Sequence, residues 1–298
     1  MFASAAIRFV RAGPFTARLE TNVDEVLAGV DLLYPPSFLR DGVSFTDFKI
    51  AVRRGDGLRR WFRPQTVFET DGERPFKPLP LAQALPMFEW GLNYCIASSA
   101  HTYLIIHAAA VERGGRVAIL PGGPGAGKST LVAALAFRGW RLMSDELALL
   151  RMTDGAVIAL ARPISLKNES IDIVKRFEPT AVLSAAVRDT VKGAVALLRA
   201  PDASIDRVDE PGMPGWIVFP RWQAGAEARL EPRSKAASLI EIALHAFNYH
   251  VHEERGFDLL ADVVDRCGCY DFTYSRLEDA LDAFAALVPP EETRRAGN

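Results

Sequence analysis

Cysteine is scarce in this chain. Its three cysteines, Cys95, Cys267 and Cys269, are too few for a disulfide framework. Cys267-Gly-Cys269 also has no second Cys/His pair at finger-like spacing that would complete a metal site. A surplus of either charge is missing too. The 35 Lys and Arg residues stand against 37 Asp and Glu, for a net charge of −2. That excludes a global basic field suited to nucleic acid or to an anionic membrane surface. No apolar run approaches the ~20 residues of a membrane span. The opening stretch, MFASAAIRFVRAGPF, sets arginines among its apolar residues and does not read as a signal peptide. Internal repeats and low-complexity segments are absent. The expectation is a cytoplasmic protein with neither nucleic acid nor membrane as partner.

At 298 residues, 49% of them apolar, the chain has ample material for a packed core. Its length suits one large or two modest domains. Residues 1–80 alternate short apolar stretches with turn signals (AGPF, YPPS, RDG, RRGDG, TDGERP), and FTDFKIAVRR and TVFET alternate as strands do. This predicts a small, mostly β N-terminal region. It ends at the proline-studded RPFKPLPLAQALP, so that 81–298 form the second domain. LAQALPMFEWGLNYCIASSA has helical character despite Pro86.

An α/β layer follows. TYLIIHAAAV and RVAIL read as buried strands around a Gly-Gly turn, Lys128 to Phe137 as a helix stopped by Gly139, and WRLM and LALLR as further strands. VIALARPISLKN predicts a strand and turn, and ESIDIVKRF a helix. Residues 200–215 are rich in proline, glycine and charge and predict a long mobile loop, a candidate lid or docking segment. WIVFPRW and CYDFTY read as strands. SKAASLIEIALHAFNYH, GFDLLADVVDRC and SRLEDALDAFAALV read as helices, the last with Ser275 and Glu278 as a capping box.

The most specific feature is PGGPGAGKST. Gly122, Gly123, Pro124, Gly125, Ala126, Gly127, Lys128 and Ser129 match G-x-x-x-x-G-K-[ST], and Thr130 follows. Glycines let consecutive backbone N–H groups wrap an anion, and the helix that follows offers its free N–H groups and dipole to phosphate. Lys128 adds a cation for the β- and γ-phosphates, and the Ser129 hydroxyl is placed to ligate Mg²⁺. An apolar strand precedes the loop and a helix-forming run follows it, as the motif requires. The expected ligand is a nucleoside triphosphate.

Such a cradle does not reveal the reaction, because many unrelated activities use it. Two flanking features are candidates. Asp145-Glu146 ends the strand after the loop helix; a carboxylate there can ligate Mg²⁺ or take a proton from a hydroxyl, or it can be a plain surface turn. His107 lies in the apolar strand before the loop and is either a satisfied core residue or part of the site.

Residues 101–150, with histidine, glycine loop, RGWRL and acidic pair in that order, resemble the catalytic core of the HPr serine kinase/phosphorylase family, and most closely its shortened HPr kinase-related members. The resemblance implies an α/β P-loop kinase core. It implies Asp145 as base toward a serine hydroxyl, His107 as its support, and Glu146 where the family carries a second aspartate near the metal. It further implies ATP and Mg²⁺, the metal held by Ser129, Asp145 and Glu146, and a homo-oligomer. The family's LEIRG-like signature corresponds here to RPISLKN, which lacks the glutamate-arginine pair linked to phosphorolysis. Arg162, Lys167 and Lys192 are candidate phosphate or substrate contacts.

The leading expectation is an ATP-dependent kinase, with Lys128, Asp145 and His107 at the reacting end and a serine hydroxyl of a small protein or peptide as acceptor. The alternatives are a nucleotide-binding regulatory module with weak or no hydrolysis, and a small-metabolite kinase.

Overall fold

The computed structural model describes residues 5–40, 42–55 and 62–288; the turn expected at RRGDG runs into 56–61 and, like Asp41, lies outside them. Strands and helices are numbered in chain order. β1 (Ala6–Ala12) and β2 (Phe15–Thr21) form a hairpin about Gly13-Pro14. Strict alternation in β2 buries Phe15, Ala17, Leu19 and Thr21 on one face. With β3 (Leu39–Arg40), β4 (Phe48–Arg54), β5 (Gln65–Thr70) and β6 (Leu79–Pro80) they make a six-stranded sheet of order β3-β1-β2-β4-β5-β6. β2 and β4 are parallel, so the chain must cross between them, and α1 (Asp24–Leu33) lies in that crossover. α2 (Ala84–Ser99) packs on β4 and β5. Pro86 falls in its first turn, where the missing N–H has no intrahelical partner to lose.

The chain is a mixed α/β protein that divides into two compact units. Unit 1 takes residues 1–99, 162–175 and 179–199. The boundary expected at 80/81 thus falls inside it. Unit 1 also holds a second sheet of order β12-β14-β13, from β12 (Ile164–Lys167), β13 (Val187–Thr190) and β14 (Gly193–Leu198). Helix α4 (Glu169–Phe177) occupies the residues of ESIDIVKRF and buries Ile171 and Val174.

Unit 2 takes 100–161, 176–178 and 200–298. Its sheet runs β11-β10-β7-β8-β15-β17-β16, with β9 also paired to β7. These strands are β7 (Tyr103–Arg113), β8 (Arg116–Pro121), β9 (Arg141–Ser144), β10 (Leu147–Arg151), β11 (Val157–Ile158), β15 (Met213–Trp222), β16 (Arg229–Pro232) and β17 (Gly268–Tyr274). β8, β15 and β17 are mutually parallel neighbours, while β7 is antiparallel to β8, β9 and β10. The helices of this unit are α3 (Lys128–Ala136), the short α5 (Asp202–Ile205), α6 (Lys235–Leu244), α7 (Tyr249–Arg266) and α8 (Leu277–Ala285).

Two local expectations are overturned. Residues 200–215 are not a mobile loop. They contain α5, bury Ser204, Ile205 and Val208, and begin β15. Arg141 holds this stretch by donating from Nη1 to the Arg207 and Glu210 carbonyls, while Ser204 Oγ accepts from Leu142 N–H at 2.9 Å. The charged side chains of the stretch stay exposed; what faces inward is its apolar residues, Ser204 and the backbone carbonyls that Arg141 holds. The capping box at Ser275 is not formed either. The N-cap of α8 is Arg276, and Ser275 Oγ instead donates to the Ala226 carbonyl at 2.7 Å.

The RGWRL phrase is a structural anchor. Trp140 is buried against Trp216 and Phe284, and Arg138 lies over Phe177 at 4.3 Å. Arg141 pairs with Glu112 at 2.6 Å, the two side chains being 3% and 1% exposed. Together these contacts fix where β9 starts, and therefore where the acidic pair at its end falls.

Candidate functional site

The candidate site is organised about the middle of β7. On one edge of that strand β8 pairs until Ala108 meets Pro121, so His107 is the next residue along, level with the first glycine of the loop. There the loop leaves the sheet, and the α6–α7 connector takes over the same edge. His107 N–H donates to the His245 carbonyl at 2.8 Å, and Phe247 N–H to the Ile105 carbonyl at 2.9 Å. On the other edge β9 ends with Ser144 opposite Ala110, and β10 begins with Leu147 opposite His107. Asp145 and Glu146 form the turn that bridges this gap, closed by Leu147 N–H to Ser144 Oγ at 3.0 Å. Both carboxylates are half-buried, and Asp145 Oδ1 is shielded from solvent.

The loop is shaped by glycine and braced by aromatic residues. Gly127 has φ +88° and is the N-cap of α3. A Cβ there would stand 2.4 Å from Tyr274 Oη and 3.0 Å from Trp222 Cβ, so both conformation and space require glycine. Tyr274 donates its hydroxyl proton to the Gly127 carbonyl at 3.0 Å, and Trp222 N–H donates to the Ala126 carbonyl at 3.2 Å. Burial raises the Tyr274 pKa above its ordinary value, which keeps it a proton donor. The first-turn N–H groups of Lys128, Ser129 and Thr130 point back toward the loop, as in any helix N-terminus. Lys128 Nζ donates to the Gly122 carbonyl and, at 3.1 Å, to that of Gly123. The lysine thus lies along the loop and is not part of the core.

Gly122 to Thr130, His107, Asp145 and Glu146 therefore all lie in unit 2, on β7 or at the ends of the strands that pair with it. The three other basic candidates belong to unit 1. Arg162, expected as a phosphate or substrate contact, is instead an interior ion-pair residue. It is buried, with Nη2 2.6 Å from Glu89 Oε2 and Nη1 2.6 Å from Asn93 Oδ1, and Glu89 also accepts from Tyr34 Oη at 2.6 Å. Burial opposes the Arg162 charge, yet the neighbouring Glu89 carboxylate prevails and its pKa is raised. A guanidinium held inside such a network is not free to meet phosphate. Lys167 is half-buried on β12, and Lys192 Nζ lies 5.3 Å from the Trp90 ring centre.

His245, Trp222 and Tyr274 were not singled out by sequence reasoning. The His245 ring sits 6.1 Å from that of His107, with Phe247 5.5 Å from His107. Burial lowers the His245 pKa; Glu241 opposes this, and the Lys128 charge adds to the lowering. No local motif marks these residues, because strand and helix ends distant in sequence bring them to the loop.

The residues present fit a nucleotide and its metal in kind. The glycine loop supplies N–H donors and a cation, and Ser129 and the acidic turn supply oxygen ligands of the hard type that Mg²⁺ prefers. Among the described residues, no group of three His, Cys, Asp or Glu side chains is placed to hold a metal by itself. Nor is any described helix long and apolar enough to cross a membrane. In comparisons with known proteins, no protein-family model and no curated protein matches the chain.

Proposed function

We propose that this protein is an ATP-dependent phosphotransferase of the HPr serine kinase-like type, built on a P-loop core in unit 2, with a hydroxyl of a small protein or peptide as acceptor. The observation that carries this reading is the register about β7. The glycine loop and the Asp145-Glu146 turn flank opposite edges of one strand, and His107 is the strand residue level with Gly122 on one edge and with Leu147, which directly follows the turn, on the other. A phosphoryl donor cradled by the loop would present its reacting end to a carboxylate.

In this reading the loop N–H groups and Lys128 stabilise negative charge on the transferred group. Mg²⁺, held through Ser129 with help from the acidic turn, supplies further positive charge when bound. Asp145 would accept the proton of the acceptor hydroxyl as the hydroxyl oxygen attacks the γ-phosphorus and the bond from that phosphorus to the bridging oxygen breaks, releasing ADP. His107 acts through Asp145, as a positioning residue. A net charge of only −2 suits an acceptor recognised locally and not by a long-range field.

The test uses purified full-length protein, Mg²⁺ and ATP labelled on the γ-phosphate. Transfer of label to a protein or peptide fraction, abolished by Lys128→Ala and cut ~100-fold or more by Asp145→Asn, is the expected result. Label released only as phosphate would favour the regulatory-module reading, and normal turnover in a folded Lys128→Ala protein would remove the nucleotide site altogether.

A further inference from the structure

Trp222 stands at the other flank of the loop from the acidic turn. The sheet order fixes this: β9 and β10 lie beyond β7 on one side of β8, and β15 and β17 lie on the other. β15 runs parallel to β8 and past it, since Ile217 is level with Ile119 and three further residues bring Pro220 beyond the end of β8. Its last residue, Trp222, is thereby carried alongside the loop. Trp222 is level with Tyr274, the last residue of β17.

Trp222 is held at several points, and the residue is still 46% exposed. Its backbone N–H is tied to Ala126 of the loop at 3.2 Å. Its Nε1–H donates to the Ser275 carbonyl at 3.1 Å. Its Cβ sits where a Gly127 side chain would begin. A single exposed aromatic is ordinary on a protein surface. This one is fixed at its edge by a hydrogen bond while part of its surface stays open to solvent, next to the loop that cradles phosphate. Stacking a planar ring needs both features: a rigid π-face, and no ordering cost at the moment of binding.

Resting on the nucleotide-site reading above, we infer that Trp222 is the platform on which the base of the donor stacks, so that the donor is a nucleoside triphosphate and not a bare polyphosphate. The reacting phosphate is directed toward Asp145 on the β7 side, and the non-reacting end of an extended donor must leave across the opposite flank. The open indole lies on that flank. Stacking makes the contact tolerant of base identity, because every base offers a π-face.

The experiment titrates Mg²⁺·ATP and Mg²⁺·tripolyphosphate into wild-type, Trp222→Ala and Trp222→Phe proteins by calorimetry, with melting curves to establish folding. Wild type should bind ATP more tightly than tripolyphosphate. Trp222→Ala should weaken ATP ~5- to 100-fold while leaving tripolyphosphate unchanged, and Trp222→Phe should keep most of the ATP affinity. Equal weakening of both ligands would make Trp222 a brace of the loop and overturn the inference; unchanged ATP binding would overturn it as well. Binding of tripolyphosphate as tightly as ATP by wild type would sink the base platform but leave the phosphate cradle standing. Failure of wild type to bind either ligand would remove the cradle, and the platform with it.

Discussion

Gly127→Ala separates the backbone demand of the loop from its packing. Two terms contribute. An L-residue at φ +88° is strained by ~1–2 kcal/mol. The new methyl would also lie 2.4 Å from Tyr274 Oη and 3.2 Å from its Cζ, so the ring must move and its 3.0 Å bond to the Gly127 carbonyl is lost. A neutral hydrogen bond of this kind contributes ~0.5–1.5 kcal/mol. The sum is a destabilisation of ~1.5–3.5 kcal/mol, before any effect on phosphate binding. Gly125→Ala is the control. Its φ is +85°, but a Cβ there meets nothing within 4 Å, so only the backbone strain should appear. Adding Tyr274→Phe to Gly127→Ala removes the atom of closest conflict. By itself Tyr274→Phe should destabilise by the lost hydrogen bond, but in the alanine background it should be neutral or stabilising, a coupling of ~1 kcal/mol. Recovery stays partial because Trp222 Cβ remains 3.0 Å from the methyl. Urea denaturation of the four proteins measures the cycle. If Gly127→Ala is no worse than Gly125→Ala, or if the Tyr274→Phe effect is the same in both backgrounds, the packing account of the loop is wrong.

His107→Ala removes ring contacts with His245 and Phe247 and should lower stability by ~1–3 kcal/mol, yet reduce phosphoryl transfer well beyond that loss. His107→Gln should restore part of the activity if the role is positioning; a destabilised but fully active alanine variant would return His107 to the core. Glu112→Ala leaves Arg141 buried without its countercharge and should destabilise by ~3–5 kcal/mol by chemical denaturation. Replacing both partners with apolar residues, Glu112→Leu with Arg141→Met, should recover much of that loss, and no recovery would mean that the Arg141 bonds to Arg207 and Glu210 dominate. The His245 pKa is lowered in the folded protein, so the unfolded chain binds a proton more readily, and stability falls as pH drops below about 6.5 toward the lowered value. His245→Gln should flatten the dependence of melting temperature on pH across that window; an unchanged slope would assign the effect to other groups.

Much of the candidate site was legible in the chain because it is local. The glycine loop needs ten consecutive residues, the strand before it and the helix after it, and β8 and α3 fall where hydrophobic run and glycine punctuation put them. The strands around His107 and the acidic pair were readable for the same reason, since each is a short apolar run bounded by turns. What composition misjudged was polarity whose partners lie far along the chain. Arg162 reads as solvated until Glu89 and Tyr34 are brought around it. Residues 200–215 read as loose until Arg141 and Ser204 are seen to tie them down. Ser275 reads as a cap until Ala226 takes its proton. Tertiary structure alone decided that β7 carries the glycine loop on one edge and the acidic turn on the other, and that His245, Trp222 and Tyr274 converge on the loop. Those positions follow from strand register, for His245 and Tyr274 across more than a hundred residues of intervening chain. Register is set by the burial of whole faces, so no local stretch of sequence contains it.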